Sequence, residues 1–222
     1  MIKRFGTHYF YCYQIIMILE LPKNCLVDKF VSKTKFTSQV LVNTKLKDEF
    51  TREIKRITWK YKLAETTLMI QATQKVKEIQ IFEIELKNKE IPKNVLKLID
   101  KLIPYYILYY FKYENNFAFG ITLKDNVSKD YYFSDWNEEL KFNFHAINLK
   151  IVLENIIKQF IKRVDTDNNN FQDIIEKDKQ ITILTKEIQA LKNKIKQEKQ
   201  FNKKVELNKT LQEKQKLLGK LK

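Results

Sequence analysis

Glycine is nearly missing from this 222-residue chain: Gly6, Gly120 and Gly219 are the only three. Loops that cradle phosphates need clustered glycines, because the backbone must approach the ligand in conformations barred to other residues. Walker-type and Rossmann nucleotide sites are thereby excluded. Cysteine is as scarce. Cys12 and Cys25 have only His8 and His145 as companions, and no pair stands at metal-ligand spacing. That removes a zinc site and points to a reducing, cytoplasmic setting. No apolar run is long enough to span a bilayer. Residues 1–21 begin with Lys3-Arg4 and an aromatic-aliphatic stretch, but Gln14 interrupts it and no small-residue cleavage site follows. Neither a membrane role nor a targeting signal is expected. Met17 offers an alternative start, so residues 1–16 read as an N-terminal extension.

Arginine is also rare, with Arg4, Arg52, Arg56 and Arg163 the full set, yet the net charge is +15. A charge of that size attracts a polyanion such as DNA or RNA. Its Lys-rich make-up is equally what an AT-rich genome supplies, and phosphate-reading surfaces usually carry more Arg.

What the chain does contain is organised around Glu78 to Leu123. Glu78–Lys87 alternates as a strand with one slip. Ile79 and Ile81 share one face, while Phe82, Ile84 and Leu86 share the other. A bulge at Ile81-Phe82 would unite all five; without it, Glu83 and Glu85 continue a face that begins as core. Pro92 suits a first helical turn, Val95, Leu96, Ile99, Leu102 and Ile103 make one stripe, and Pro104 ends it. Tyr105–Tyr113 reads as a central strand, and Phe117–Leu123 as its hairpin partner after Glu114-Asn115-Asn116. Strand, helix, strand implies a parallel pair. The expected class is α/β (α+β), a mixed β-sheet flanked by helices and followed by a long C-terminal coiled-coil helix.

Elsewhere, Pro22–Phe36 suggests an irregular connection. A helix capped by Thr44 is expected to carry Leu46, Phe50, Ile54, Ile57 and Tyr61 on one face, with Trp59 as a core or rim anchor. Thr66–Thr73, Asp130–Trp136 and the alternating Leu140, Phe142 and Phe144 read as strands. Asn148 caps a helix whose Leu149, Val152, Leu153, Ile156, Ile157 and Phe160 face the sheet. The globular domain is set at 17–164 and a polar linker at 165–170.

From Phe171 to Leu218 there is no Gly or Pro. Ile174, Ile181, Leu184, Ile188, Leu191 and Ile195 form a heptad seam. It falters across Gln197–Lys204, where Glu198 and Asn202 replace apolar residues, and resumes with Val205, Leu207, Leu211, Leu218 and Leu221. An unbroken helix would reach about 75 Å at 1.5 Å per residue. Its stripe needs a second copy, a fold-back into a helical hairpin, or a docked partner. The homodimeric coiled coil is favoured here and the hairpin is the competitor, with Ile181, Leu184, Ile188, Leu191, Ile195, Val205, Leu211 and Leu218 as the pairing residues. On the exposed side, Lys192, Lys194, Lys196, Lys199, Lys203 and Lys204 are candidate phosphate contacts.

One motif suggests chemistry. Glu85-Leu86-Lys87 matches the E-x-K half of the PD-(D/E)xK nuclease signature, and Glu83 adds a second carboxylate for Mg²⁺. Such enzymes need an acid on the preceding strand, however, and no Asp occurs between Asp48 and Asp100. A solvated face with cross-strand charge pairs accounts for the motif equally well. No other cofactor or metal is expected.

Several phrases together carry a resemblance: LPKNCLVDKF, RITWKYKL, EIQIFEIELKNKEIP, KLIDKLIPYYILYY, YYFSDWN and KIKQEKQFNKKVELNKTLQ. Over roughly Met17 to Leu221 the chain resembles the uncharacterised bacterial family DUF4391. The resemblance implies no catalytic residues. It implies a context beside DNA helicases and DNA methyltransferases in restriction or phage-defence clusters. The expected role is an accessory or adaptor subunit of a DNA-targeting system; a metal-dependent nuclease and a structural scaffold without a nucleic-acid role are the alternatives.

Overall fold

A computed structural model describes residue 19 and residues 21–38, 43–124, 131–166 and 170–221. The proposed extension at 1–16, Met17, Cys12 and His8 lie outside them. The chain divides after Phe160 into two compact units, ahead of the polar stretch 165–170, of which residues 167–169 are likewise not described.

Six strands make up the sheet of the first unit: β1 (Leu26–Phe30), β2 (Ile54–Ala64), β3 (Glu78–Leu86), β4 (Tyr106–Tyr113), β5 (Asn116–Thr122) and β6 (Tyr131–Phe133). They lie side by side in chain order. The longer helices are α1 (Thr44–Glu53), α2 (Lys93–Leu102) and α3 (Leu149–Lys158), with α4 (Phe171–Gln197) and α5 (Phe201–Leu221) in the second unit. Among these strands only β3 and β4 run parallel, joined through α2. Pro92 precedes α2, and Val95, Leu96, Leu98 and Ile99 are buried beneath it. They join Phe50, Ile57, Phe82, Ile84, Tyr109 and Phe111 in the core on one sheet face. On the other, α3 packs against β3 and buries Leu149, Val152, Leu153, Ile156 and Ile157. The Asn148 side chain caps that helix by accepting from the Ile151 N–H at 3.1 Å.

The slip in Glu78–Lys87 resolves against a bulge in that strand. β3 pairs with β4 without interruption from Ile79↔Tyr106 to Glu85↔Lys112. The irregularities lie in β2, around Lys55 and Lys60. Glu83 and Glu85 therefore continue the face of Ile79 and Ile81.

Those same β2 bulges correct the long helix expected from Thr44. Asn43, not Thr44, is the cap, and the helix ends at Glu53. Ile54 and Ile57, three residues apart, enter one core because the extra residue near Lys55 shifts the strand's alternation, which imitates helical spacing. The Pro22–Phe36 connection contains the edge strand β1, whose exposed residues hide any period. Thr66–Thr73 is not a strand. The Thr67 hydroxyl donates to the Lys62 carbonyl and accepts from the Ala64 N–H, both at 2.9 Å, winding the chain into the one-turn helix Glu65–Leu68. Leu140, Phe142 and Phe144 do alternate with exposed neighbours, yet they pair with no strand. The Gln159 side-chain amide takes the neighbour's place, accepting from the Lys141 N–H at 2.8 Å and donating to its carbonyl at 2.7 Å.

In the second unit the long C-terminal helix is interrupted. Asn170 caps α4, its side chain accepting from the Gln172 and Asp173 N–H groups. At Glu198 the backbone turns to an extended ψ of 129°, and α5 returns against α4. The hairpin alternative replaces the continuous rod. The break falls where the seam falters, so the fold-back sacrifices little apolar contact and buries a stripe that one straight helix leaves wet. No helix among the described residues is long and apolar enough to cross a membrane.

Candidate nucleic-acid interface

The residues of the E-x-K motif lie on β3 and at its exit. Glu83, its side chain 8% exposed, sits in register between Thr58 and Tyr110. Lys112 Nζ approaches its Oε2 to 3.9 Å. Its charge also acts on Lys60: burial pushes that ammonium's pKa down, but the hydrogen bond to Asp28 and the fields of Glu83 and Asp28 raise it overall. Glu85 pairs with Lys55 at 3.2 Å. Lys87 Nζ donates to the Thr51 carbonyl at 2.8 Å, at the end of α1, where a cation complements the helix dipole. Both carboxylates therefore face lysines. Among the described residues no three His, Cys, Asp or Glu side chains converge to hold a metal ion. What this arrangement supplies is cross-strand charge pairing.

A largely covered acid that the sequence analysis does not single out, its side chain 9% exposed, lies at the end of α2. Asp100 Oδ2 accepts from the Tyr109 hydroxyl at 3.0 Å and from the Tyr131 hydroxyl. Lys124 Nζ stands 3.7 Å from Oδ1. Burial raises the Asp100 pKa, opposed by those hydroxyls and the Lys124 charge. Both phenols are pushed up, chiefly by burial and then by the carboxylate. The group fastens β4, β6 and α2 together. Its signal in the sequence is faint: one acid directly after Ile99, on the border of an apolar stripe.

The six candidate lysines are all exposed, and the hairpin gathers them at one end. Lys192, Lys194 and Lys196 lie in the last turns of α4, Lys199 in the link, and Lys203 and Lys204 in the first turn of α5. Glu198 is the only acid from 192 to 204, and it is engaged locally. It accepts from the Gln200 N–H at 2.8 Å, and that bond, with the charges of Lys203 and Lys194, holds its carboxyl below the ordinary range. Amid these charges stands Phe201, 78% exposed. Phe201 lies outside the heptad positions, so the seam does not mark it; the usable signal is an aromatic in a lysine-rich stretch.

The pairing residues divide. Ile181, Leu184 and Ile188 are buried, and Leu191, Ile195, Leu211 and Leu218 are half-buried. Val205 remains 52% exposed. Lys214 Nζ meets Glu187 Oε2 at 2.7 Å across the two helices. The seam is largely covered within a single chain.

No curated protein and no solved structure matches this chain. One family model does, over residues 19–218, and its description is "Domain of unknown function (DUF4391)". That span takes in the sheet, the helices around it and nearly all of the hairpin, so the chain belongs to the DUF4391 family.

Proposed function

We propose that this protein is an accessory subunit of a bacterial DNA-targeting system of the restriction or phage-defence kind, touching nucleic acid through the tip of its helical hairpin. One observation carries the reading: the link between α4 and α5 gathers six exposed lysines, a single acid and an exposed Phe201 into one short stretch. Clustered ammonium groups release counterions from a phosphate backbone, and an exposed aromatic ring among them can stack on an unpaired base. The DNA setting is what the family resemblance described above implies, a context beside DNA helicases and DNA methyltransferases. The sheet unit serves as the body. The exposed Ile183 and Leu217 of the hairpin offer apolar contact to a partner enzyme.

The test is a binding titration of the full chain against a labelled DNA fragment at low salt, with a variant carrying Lys199→Ala, Lys203→Ala and Lys204→Ala beside it. The variant is expected to bind distinctly more weakly. Equal affinity would remove the tip from the account.

A further inference from the structure

We propose a second polyanion-binding surface, in the sheet unit and independent of the hairpin: the outer face of α2, where Lys93, Lys97 and Lys101 form one row. Residues four apart share a helix face, and the inward side of α2 is committed to Val95, Leu96, Leu98 and Ile99. Its exposed positions are Lys93, Asn94, Lys97 and Lys101; the acids nearest them are engaged by other groups, Glu49 of α1 accepting from the Asn94 amide at 3.2 Å and Asp100, which lines one cleft with Lys97 and Lys101, accepting from the Tyr109 and Tyr131 hydroxyls. None of the three lysines takes part in a salt bridge among the described residues. Like charges at this spacing weaken a helix, and the other helices of the unit avoid the arrangement. α1 mixes Lys45, Lys47 and Arg52 with Asp48, Glu49 and Glu53. α3 sets Lys150 against Glu154 at 3.5 Å. Lysine-rich composition alone therefore does not account for three lysines in a row with no exposed acid on their own helix.

The row has an aromatic flank at its start. Lys89, in the loop before α2 and next to the exposed Glu90, holds its Nζ 5.3 Å from the ring centre of Trp136. Lys93 Nζ stands 5.4 Å from that of Phe133. Both rings are half-buried, and Phe133 is anchored by packing on Phe111 with centroids 6.1 Å apart. Cation–π contact thus steadies the start of the row.

The occupant follows from spacing and from what the face lacks. Ammonium groups recurring at about 6 Å, four residues at 1.5 Å rise, suit a strand of regularly spaced charges better than one compact anion. A lipid surface would require apolar residues beside the lysines. None of the exposed large hydrophobic residues lies on α2, whose apolar side is spent in the core. A nucleic-acid phosphate backbone is the fitting partner.

Fluorescence anisotropy of the full chain with a short labelled DNA duplex, repeated across a salt series, tests this. Three proteins are compared: the unaltered chain, a row variant (Lys93→Ala, Lys97→Ala, Lys101→Ala), and the tip variant described above. Each phosphate contact contributes about 0.9 to the slope of log affinity against log salt, so the row variant should flatten it by about 3. Its thermal unfolding should match or exceed that of the unaltered chain. An unchanged slope overturns the row, whatever the tip variant does. A flattened slope in the row variant with no effect of the tip variant sustains the row and removes the hairpin reading. Loss of binding to phosphatidylserine vesicles with no change on the duplex also overturns it.

Discussion

Replacing Asp100 separates a hydrogen-bond acceptor from a charge. Asp100→Leu keeps the size of the side chain but leaves the Tyr131 hydroxyl without this acceptor and the Tyr109 hydroxyl with only the Leu96 carbonyl at 3.5 Å. A buried donor deprived of its partner costs about 1–3 kcal/mol, and Tyr131 is half-buried while Tyr109 keeps a second acceptor, so the substitution should cost about 1–3 kcal/mol. Asp100→Asn retains an acceptor oxygen and removes only the charge, so its effect at neutral pH should be far smaller. Because burial raises the folded-state pKa above the ordinary 3.8, the folded protein holds this proton more tightly than the unfolded chain. Stability contributed by the protonated form is therefore lost as pH rises from 3.8 through the raised value. Asp100→Asn has no such proton, so its stability relative to the unaltered chain should grow across that window and level off above it. Urea unfolding at a series of pH values measures both effects. Equal stabilities for the Leu and Asn variants would show that the hydroxyls need no acceptor at this position, and a pH-independent gap between Asn and the unaltered chain would show that the Asp100 proton is not held more tightly in the folded state.

Three other outcomes follow from particular contacts. Gly120→Ala would bring a Cβ to 2.8 Å from the Phe133 ring and 2.9 Å from the Phe111 ring, an overpacking that should cost about 1–3 kcal/mol; a variant as stable as the parent in thermal unfolding would contradict the packing of β5 between those rings. Phe201→Ala should weaken single-stranded DNA by about 1–3 kcal/mol, the usual worth of one stacked base, and duplex DNA much less; equal losses on both would leave the ring without a stacking role. Light scattering on the full chain should return a one-chain mass near 26.8 kDa, since the hairpin covers most of its own seam, and a two-chain mass would restore the homodimeric coiled coil.

The β3–α2–β4–β5 unit was legible because each element buries a full face, so its apolar period equals its geometric period. Legibility failed where that equality breaks. In β2, bulges around Lys55 and Lys60 shift the alternation, and Ile54, Ile57 and Tyr61 fall into helical spacing. In β1 only Val27 is even half-buried, so no pattern exists to read. Around residue 141, a glutamine side chain distant in sequence stands in for a strand neighbour, which no local pattern records. The hairpin could be seen as one of three solutions to an exposed seam, and the polar stretch at Glu198 marked its turn. The tip lysines were visible as charge; their gathering beside Phe201 needed the fold-back. The row on α2 stood in plain view as lysines four apart, but that Asp100 is turned to the Tyr109 and Tyr131 hydroxyls rather than paired with the row needed the fold.

The lysines of the tip and of α2 are proposed to meet a phosphate backbone. The most direct measurement is the affinity of the unaltered full-length chain for duplex DNA as salt is raised. If the six tip lysines all reach phosphates, log affinity should fall linearly against log salt with a slope of about −5 or steeper. No binding at low salt, or an affinity indifferent to salt, would contradict it.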